Sequence, residues 1–327
     1  VGATSILRQK EVPDWATEAL NSPVGSMAQA LMEDPELKDL KRNVGFPVWW
    51  TSHAEELLLL PGQLRRHALP IFTHNLVWLF AIDPRWTNQH FLPFCEKSDE
   101  DSSAFWAGFF WGAKIPQDKL YLQMKPALLH LASDETIDRR QYVSVLAGII
   151  LAGWGGKKND AGERIITDDE LRSLLLAADD EFRTQVIWQL ERWSQEADSH
   201  WRTEALVLLR RAWPRQIIAK TPRVSARLCE LAFAMEDEFP AYVDAILPLV
   251  TKVVGDEVTL PILRHSRNTI IERFPAKALA LLNEVLPDNV RRWPYGIDDV
   301  LTRIGNSDST LLLDFRLIEL NRKWAAR

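Results

Sequence analysis

The sequence predicts an all-α protein, an irregular HEAT-like helical repeat array (α-solenoid). Three observations predict it. Apolar residues recur at intervals of three and four, the spacing of one helix face. Helix starts are marked by a capping residue followed by proline. One plan of aromatic entry, amphipathic helix and proline exit recurs along the chain.

The periodicity is plain in Asp169–Ala178, where Leu171, Leu174, Leu175 and Ala178 form one stripe. Asp198–Trp213 repeats it with Trp201, Ala205, Leu208, Leu209 and Ala212. No Asn-Gly or Asp-Gly pair separates alternating apolar runs, so hairpins are not expected. Ser22-Pro23, Asp34-Pro35, Asp83-Pro84 and Thr221-Pro222 each read as an N-cap with proline at the first helical position, where the missing N–H costs nothing. Ser52 to Glu55 and Thr167 to Glu170 have capping-box spacing. "FPAYVDAILP" and "FPAKALALLNEVLP" start 35 residues apart, at Phe239 and Phe274, a spacing typical of stacked helix pairs. "WTNQHFLPF" (86–94) and "WRTEALVLLRRAWP" (201–214) share the plan. The glycine-rich, charged stretch "GWGGKKNDAGERI" (153–165) is the expected break. It divides the chain into an N-terminal part of the array (1–155), a loop or hinge (156–165) and a C-terminal part (166–327).

Bulk properties narrow the function classes. With 327 residues, 46% hydrophobic and 26% charged, the chain has the composition of an ordered globular protein. A net charge of −6 argues against wholesale nucleic-acid binding, though not against a local basic patch. Cys95 and Cys229 are far apart and suggest neither a disulfide framework nor metal spacing, which fits a cytoplasmic protein. No apolar run reaches the ~18 residues of a membrane span, so no membrane partner is expected. The first residue is Val1, which fits a piece of a longer protein.

"SAFWAGFFWGAK" (103–114) gathers Phe105, Trp106, Phe109, Phe110 and Trp111. Such a cluster is either a stacking platform or a packing seam. The small residues Ala104, Ala107, Gly108 and Gly112, against which another helix closes, favour the seam. Trp49 and Trp50 diverge by ~100° on a helix, so one faces the core and the other a neighbour. "VLAGIILAGWGGKK" (145–158) lacks the glycine fingerprint and the Gly-Lys-Ser/Thr ending of a phosphate loop, and reads as a buried helix with a glycine C-cap. The seven histidines form no His-Glu-x-x-His and no zinc spacing with cysteine. No serine sits in a Gly-x-Ser-x-Gly elbow. No catalytic residue, metal or cofactor is therefore assigned.

The strongest binding candidate is basic. Trp201, Arg202, Arg210, Arg211, Trp213, Arg215 and Arg223, with Lys220 and Arg227, run through a stretch whose only acid is Glu204. Arginine forks take phosphates and interleaved indoles stack bases, the chemistry of a nucleic-acid or nucleotide site. The alternative is a solvated face paired with acids such as Glu191, Glu196 or Asp179–Glu181.

Several stretches together resemble one family: "NSPVGSMAQALM" (21–32), "LFAIDPRWTNQHFLPFCEKSDEDSSAFWAGFFWGAKIPQDKLYLQMKPALL" (79–129), "HWRTEALVLLRRAWP" (200–214) and "FPAKALALLNEVLPDNVRRWPYGIDDVLTRI" (274–304). They are similar to the helical C-terminal region of bacterial defence-associated sirtuins and related antiphage proteins. In that family an N-terminal sirtuin-like domain is linked to NAD hydrolysis. This chain shows no such domain, so no NAD-binding or catalytic residue transfers to it. The resemblance implies a non-catalytic module that senses an infection cue, assembles oligomers or restrains an attached toxic domain. Its partner would be a sirtuin-like domain, a second copy or a phage protein. It also implies that Trp293 and Pro294 cap the array with Arg291 and Arg292 exposed. The competing expectation is a nucleic-acid-binding helical repeat that uses residues 201–227.

Overall fold

The computed structural model describes residues 13–97, 99–134, 142–156, 162–196, 199–253, 269–294 and 296–327. Helices and turns make up these residues, and no strand occurs among them. The chain divides into two compact units, Val1–Ile165 and Ile166–Arg327. Of the expected break, residues 157–161 lie outside the described residues, and Gly153–Gly155 still belong to the preceding helix.

The first unit holds α1 (Trp15–Leu20), α2 (Pro23–Met32), α3 (Val48–Leu59), α4 (Gln63–His74), α5 (Leu76–Ile82), α6 (Pro84–His90), α7 (Leu92–Cys95), α8 (Glu100–Gly112), α9 (Asp118–Ser133) and α10 (Val143–Gly155). The proline-marked starts are realised. The side chains of Ser22 and Asp83 accept the N–H of Gly25 and Trp86, and Asp34 does the same for Glu36 at a short 3-10 turn. Ser52 departs from expectation. It lies inside α3, which begins after Pro47 without a side-chain cap. Its supposed box partner Glu55 instead accepts from Trp86 Nε1 at 2.8 Å. Trp49 and Trp50 diverge as expected: Trp50 is fully buried and Trp49 is 37% exposed.

The centre of this unit is the pairing of α4 with α8. Phe105, Trp106, Phe109 and Phe110 are all buried, so the aromatic run is a packing seam, with Trp111 alone turned outward. Phe110 stacks on Tyr142 at 4.4 Å. Burying rings of this size removes roughly 150–250 Å² each from water. Gly108 and Gly112 make the pairing possible, since each lies against the backbone of α4. The helix α10 is almost wholly buried, and its Ile149 carbonyl accepts from Tyr121 Oη at 2.8 Å. Its C-cap is Gly156, whose backbone is extended.

The second unit holds α11 (Asp168–Ala177), α12 (Asp180–Ser194), α13 (Trp201–Val207), α14 (Pro222–Ala234), α15 (Phe239–Ile246), α16 (Ile270–Arg273), α17 (Pro275–Val285), α18 (Ile297–Ser307) and α19 (Phe315–Ala325). The Thr167–Glu170 capping box is formed in both directions. Both predicted stripes are buried, Leu171 to Ala178 and Trp201 to Ala212. The two Phe-Pro segments form α15 and α17, each entered at the expected Phe-Pro. Trp293 is buried, stacks on Trp324 at 6.1 Å and donates to the Pro287 carbonyl, while Arg291 and Arg292 are exposed.

A buried arginine ties α11 to α12. Arg183 donates to the Leu175 carbonyl at 2.7 Å, the Leu176 carbonyl at 3.1 Å and Asp180 at 2.8 Å. It thus satisfies carbonyls at the end of α11, where the helix has no partners of its own. Arg183→Met keeps the stem and removes the fork. It is expected to cost about 3 kcal/mol, since hydrogen bonds to charged groups are each worth ~1.5–3 kcal/mol. The corresponding drop in melting temperature is about 6–12 °C for a unit of this size. A calorimetric shift under about 2 °C would mean water replaces the fork at no cost.

Candidate functional site

The basic stretch is built on α13, a π-helical turn over Leu208–Ala212, a 3-10 turn over Ile217–Ala219, and the start of α14. Its two tryptophans depart from the expectation of stacking surfaces. Trp201 is 8% exposed and packs on Trp193, and Trp213 is 2% exposed. Neither indole has a face open to a base. The apolar stripe already placed Trp201 on the core side, and that signal outweighs its position among arginines.

The cations separate into two groups. Arg202 Nε donates to the Ser194 carbonyl at 2.8 Å, so it caps α12. Arg215 reaches the Arg210 carbonyl at 3.4 Å, and Arg172, which sequence reasoning missed, donates to the Arg211 carbonyl. These guanidinium groups meet the negative end of the α13 segment, a favourable site for positive charge. Arg227 pairs with Glu191 at 2.7 Å and also with Glu230, as the paired-face alternative expects. The other group is Arg210, Arg211, Lys220 and Arg223. Among the described residues none of these four has a carboxylate within ion-pair distance. Between them Ile217 and Ile218 are 85% and 71% exposed. The result is a cationic loop with two bare isoleucines and no open aromatic ring.

A second candidate lies in the first unit. A cavity of about 590 Å³ opens where the end of α2, the 3-10 turn Pro35–Leu37, the end of α4, the start of α5 and the end of α8 meet. Gly112 would place a Cβ 2.4 Å from the His74 carbonyl, so only glycine lets α8 run this close. That approach brings the Trp111 ring to 4.2 Å from His74, between centroids. Trp78 and Asn75 add a second indole and an amide, Lys38 and Lys114 bring cations, and Glu33 and Asp34 bring carboxylates. His74 Nδ1 is buried without a hydrogen-bond partner. Burial, helped by Lys114, holds the imidazole below its ordinary range, so it is neutral at pH 7. No local motif announces this site, because its walls come from stretches far apart in the chain, Leu20, 29–38, 71–78 and 111–114.

Other reactive groups are placed as follows. Cys95 and Cys229 are buried free thiols pushed up to about 12, which keeps them protonated and poorly nucleophilic. His67 faces Glu18 at 3.7 Å, a pairing across α4 and α1. His90 lies 3.4 Å from Glu55. Among the described residues no group of three His, Cys, Asp or Glu is placed to hold a metal, and no helix is long and apolar enough to cross a membrane. No family model, no curated protein and no solved structure matches the chain.

Proposed function

We propose that this chain is a non-catalytic helical sensor or regulatory module, built as a HEAT-like array, that acts by protein–protein contact. The resemblance to defence-associated sirtuins suggests the setting, an antiphage protein in which the contact governs an attached NAD-hydrolysing domain. The recurrence of Phe-Pro-entered helices supports the array. The observation that carries the contact reading is the loop 210–223. Arginine is a common hot-spot residue, and exposed arginine beside bare isoleucines suits an acidic partner surface with an apolar dimple. Leu312, Leu313, Phe315 and Ile318 form another exposed apolar stretch in the same unit.

The test uses two variants of the full protein in phage-challenged cells. One carries Arg210→Glu, Arg211→Glu and Arg223→Glu; the other carries Ile217→Asp and Ile218→Asp. Both are surface changes, expected to leave the melting temperature within about 2 °C. Loss of protection and of NAD depletion in both variants supports the contact reading. Unchanged protection in both overturns it. Loss in the arginine variant alone, together with DNA or RNA binding that falls steeply with salt, moves the function to the competing nucleic-acid reading.

A further inference from the structure

The cavity between α2, α4, α5 and α8 lies in the first unit, and loop 210–223 lies in the second. The lining of the cavity is selective. About 590 Å³ falls within the ~300–1,000 Å³ typical of small-molecule sites. Three flat π-systems, Trp78, Trp111 and His74, border one space. Flat rings prefer a flat guest, stacked or edge-on. One polar group sits beside them, the Asn75 amide, whose N–H side is directed at the Ile71 carbonyl at 3.4 Å. An amide offers both a donor and an acceptor to the edge of a heteroaromatic ring.

The rim narrows the class further. Glu33 and Asp34 are acceptor-only groups when ionised, suited to sugar hydroxyls. One oxygen of Asp34 already caps the Glu36 N–H at 2.8 Å, which holds the carboxylate in place at the mouth. Lys114, close enough to His74 to depress its proton affinity, offers a point charge for an anionic substituent. Two carboxylates and two lysines at the rim cancel, so the site has no net bias toward a polyanion or a polycation.

We propose that this cavity is a nucleoside-binding site, which takes the base against Trp78, Trp111 and His74 and the sugar at Glu33 and Asp34, with Lys114 reaching a phosphate where one is present. It would give the module a small-molecule input, separate from the contact surface in the other unit.

Titration of the full chain with adenosine, guanosine, cytidine and uridine, and with their monophosphates, tests this by calorimetry and by tryptophan fluorescence. The expected result is saturable one-to-one binding of at least one base in the micromolar to millimolar range, with quenched emission. Trp111→Ala, a change at a side chain that is 43% exposed, should weaken it at least tenfold while the melting temperature holds. His74→Ala should weaken it comparably. If Lys114→Gln weakens the monophosphate and spares the nucleoside, the phosphate is read; equal affinities for the two forms mean that the base and sugar alone are recognised. Either supports the site. Absence of binding for all eight compounds up to several millimolar overturns it, as does binding that Trp111→Ala and His74→Ala leave unchanged. The loop variants of the preceding test should bind nucleosides normally, so failure of one reading is distinct from failure of the other.

Discussion

Gly108→Val is expected to unfold the first unit, and even Gly108→Ala to lower its stability by about 3 kcal/mol, the upper range for overpacking a core. In an ordinary helix the alanine change is stabilising, by ~0.5–1 kcal/mol. Here a Cβ would stand 2.2 Å from Thr73 Oγ1, 2.3 Å from the Pro70 carbonyl oxygen and 2.4 Å from Pro70 Cα. Two of these three atoms are backbone and cannot rotate away. The helices α4 and α8 would have to separate by an appreciable fraction of an ångström. That separation loosens Phe105, Phe109 and their neighbours along the whole seam, because closely packed interiors transmit strain. Thermal unfolding by circular dichroism measures it, with Ser103→Ala on the exposed side of the same helix as control. Equal melting temperatures for Gly108→Ala and the control would show that the helices are not in close contact.

What the sequence disclosed follows the range of the interaction. N-caps followed by proline at Ser22, Asp34, Asp83 and Thr221 were legible because cap and helix are a few residues apart. The apolar stripes were legible for the same reason. Ser52 misled because capping-box spacing also occurs inside a helix, and Pro47 had already opened α3 one turn earlier. The basic stretch was legible as charge but not as geometry. Which arginine caps a carbonyl and which faces solvent depends on where α11 and α12 end. The cavity was illegible for a stronger reason. Its residues span Leu20 to Lys114, and the approach of Trp111 to His74 that closes it joins positions far apart in sequence. Asp99–Asp101 shows the same limit, since three consecutive acids carry no sign of burial. In the structure Asp99 caps α8 and Asp101 is 4% exposed.

Asp101→Ala is accordingly expected to be among the most damaging single changes in the chain. The Asp101 carboxylate accepts from Arg66 Nε at 2.9 Å and from Arg65 Nη2. It therefore pins two consecutive residues of α4 to the first turn of α8, where the helix also favours negative charge. The arginines have apolar cover. Arg66 lies 5.7 Å from the Trp15 ring centre and Arg65 the same distance from Phe94. Removal of the acid leaves two partly covered guanidinium groups without it, although Arg66 retains Glu100. Breaking a buried pair costs ~3–5 kcal/mol. Side-chain exposures of 27% for Arg65 and 21% for Arg66 allow some rescue by water, which places the expected loss near the lower end, about 3 kcal/mol. A double-mutant cycle with Arg65→Ala separates the interaction from the deletions, and contacting residues of this kind couple by ~0.5–3 kcal/mol. Salt supplies the second axis. At 1 M the screening length is ~3 Å, so a surface pair would lose its coupling while a pair buried on the carboxylate side keeps most of it. Coupling near zero at low salt would mean that the Arg65–Asp101 pair does not hold α4 to α8, which leaves the aromatic seam and the Arg66 pairs. Coupling that survives 1 M salt would mean that the acid fixes the register in which Gly108 and Gly112 meet α4, and so fixes the position of Trp111 against His74.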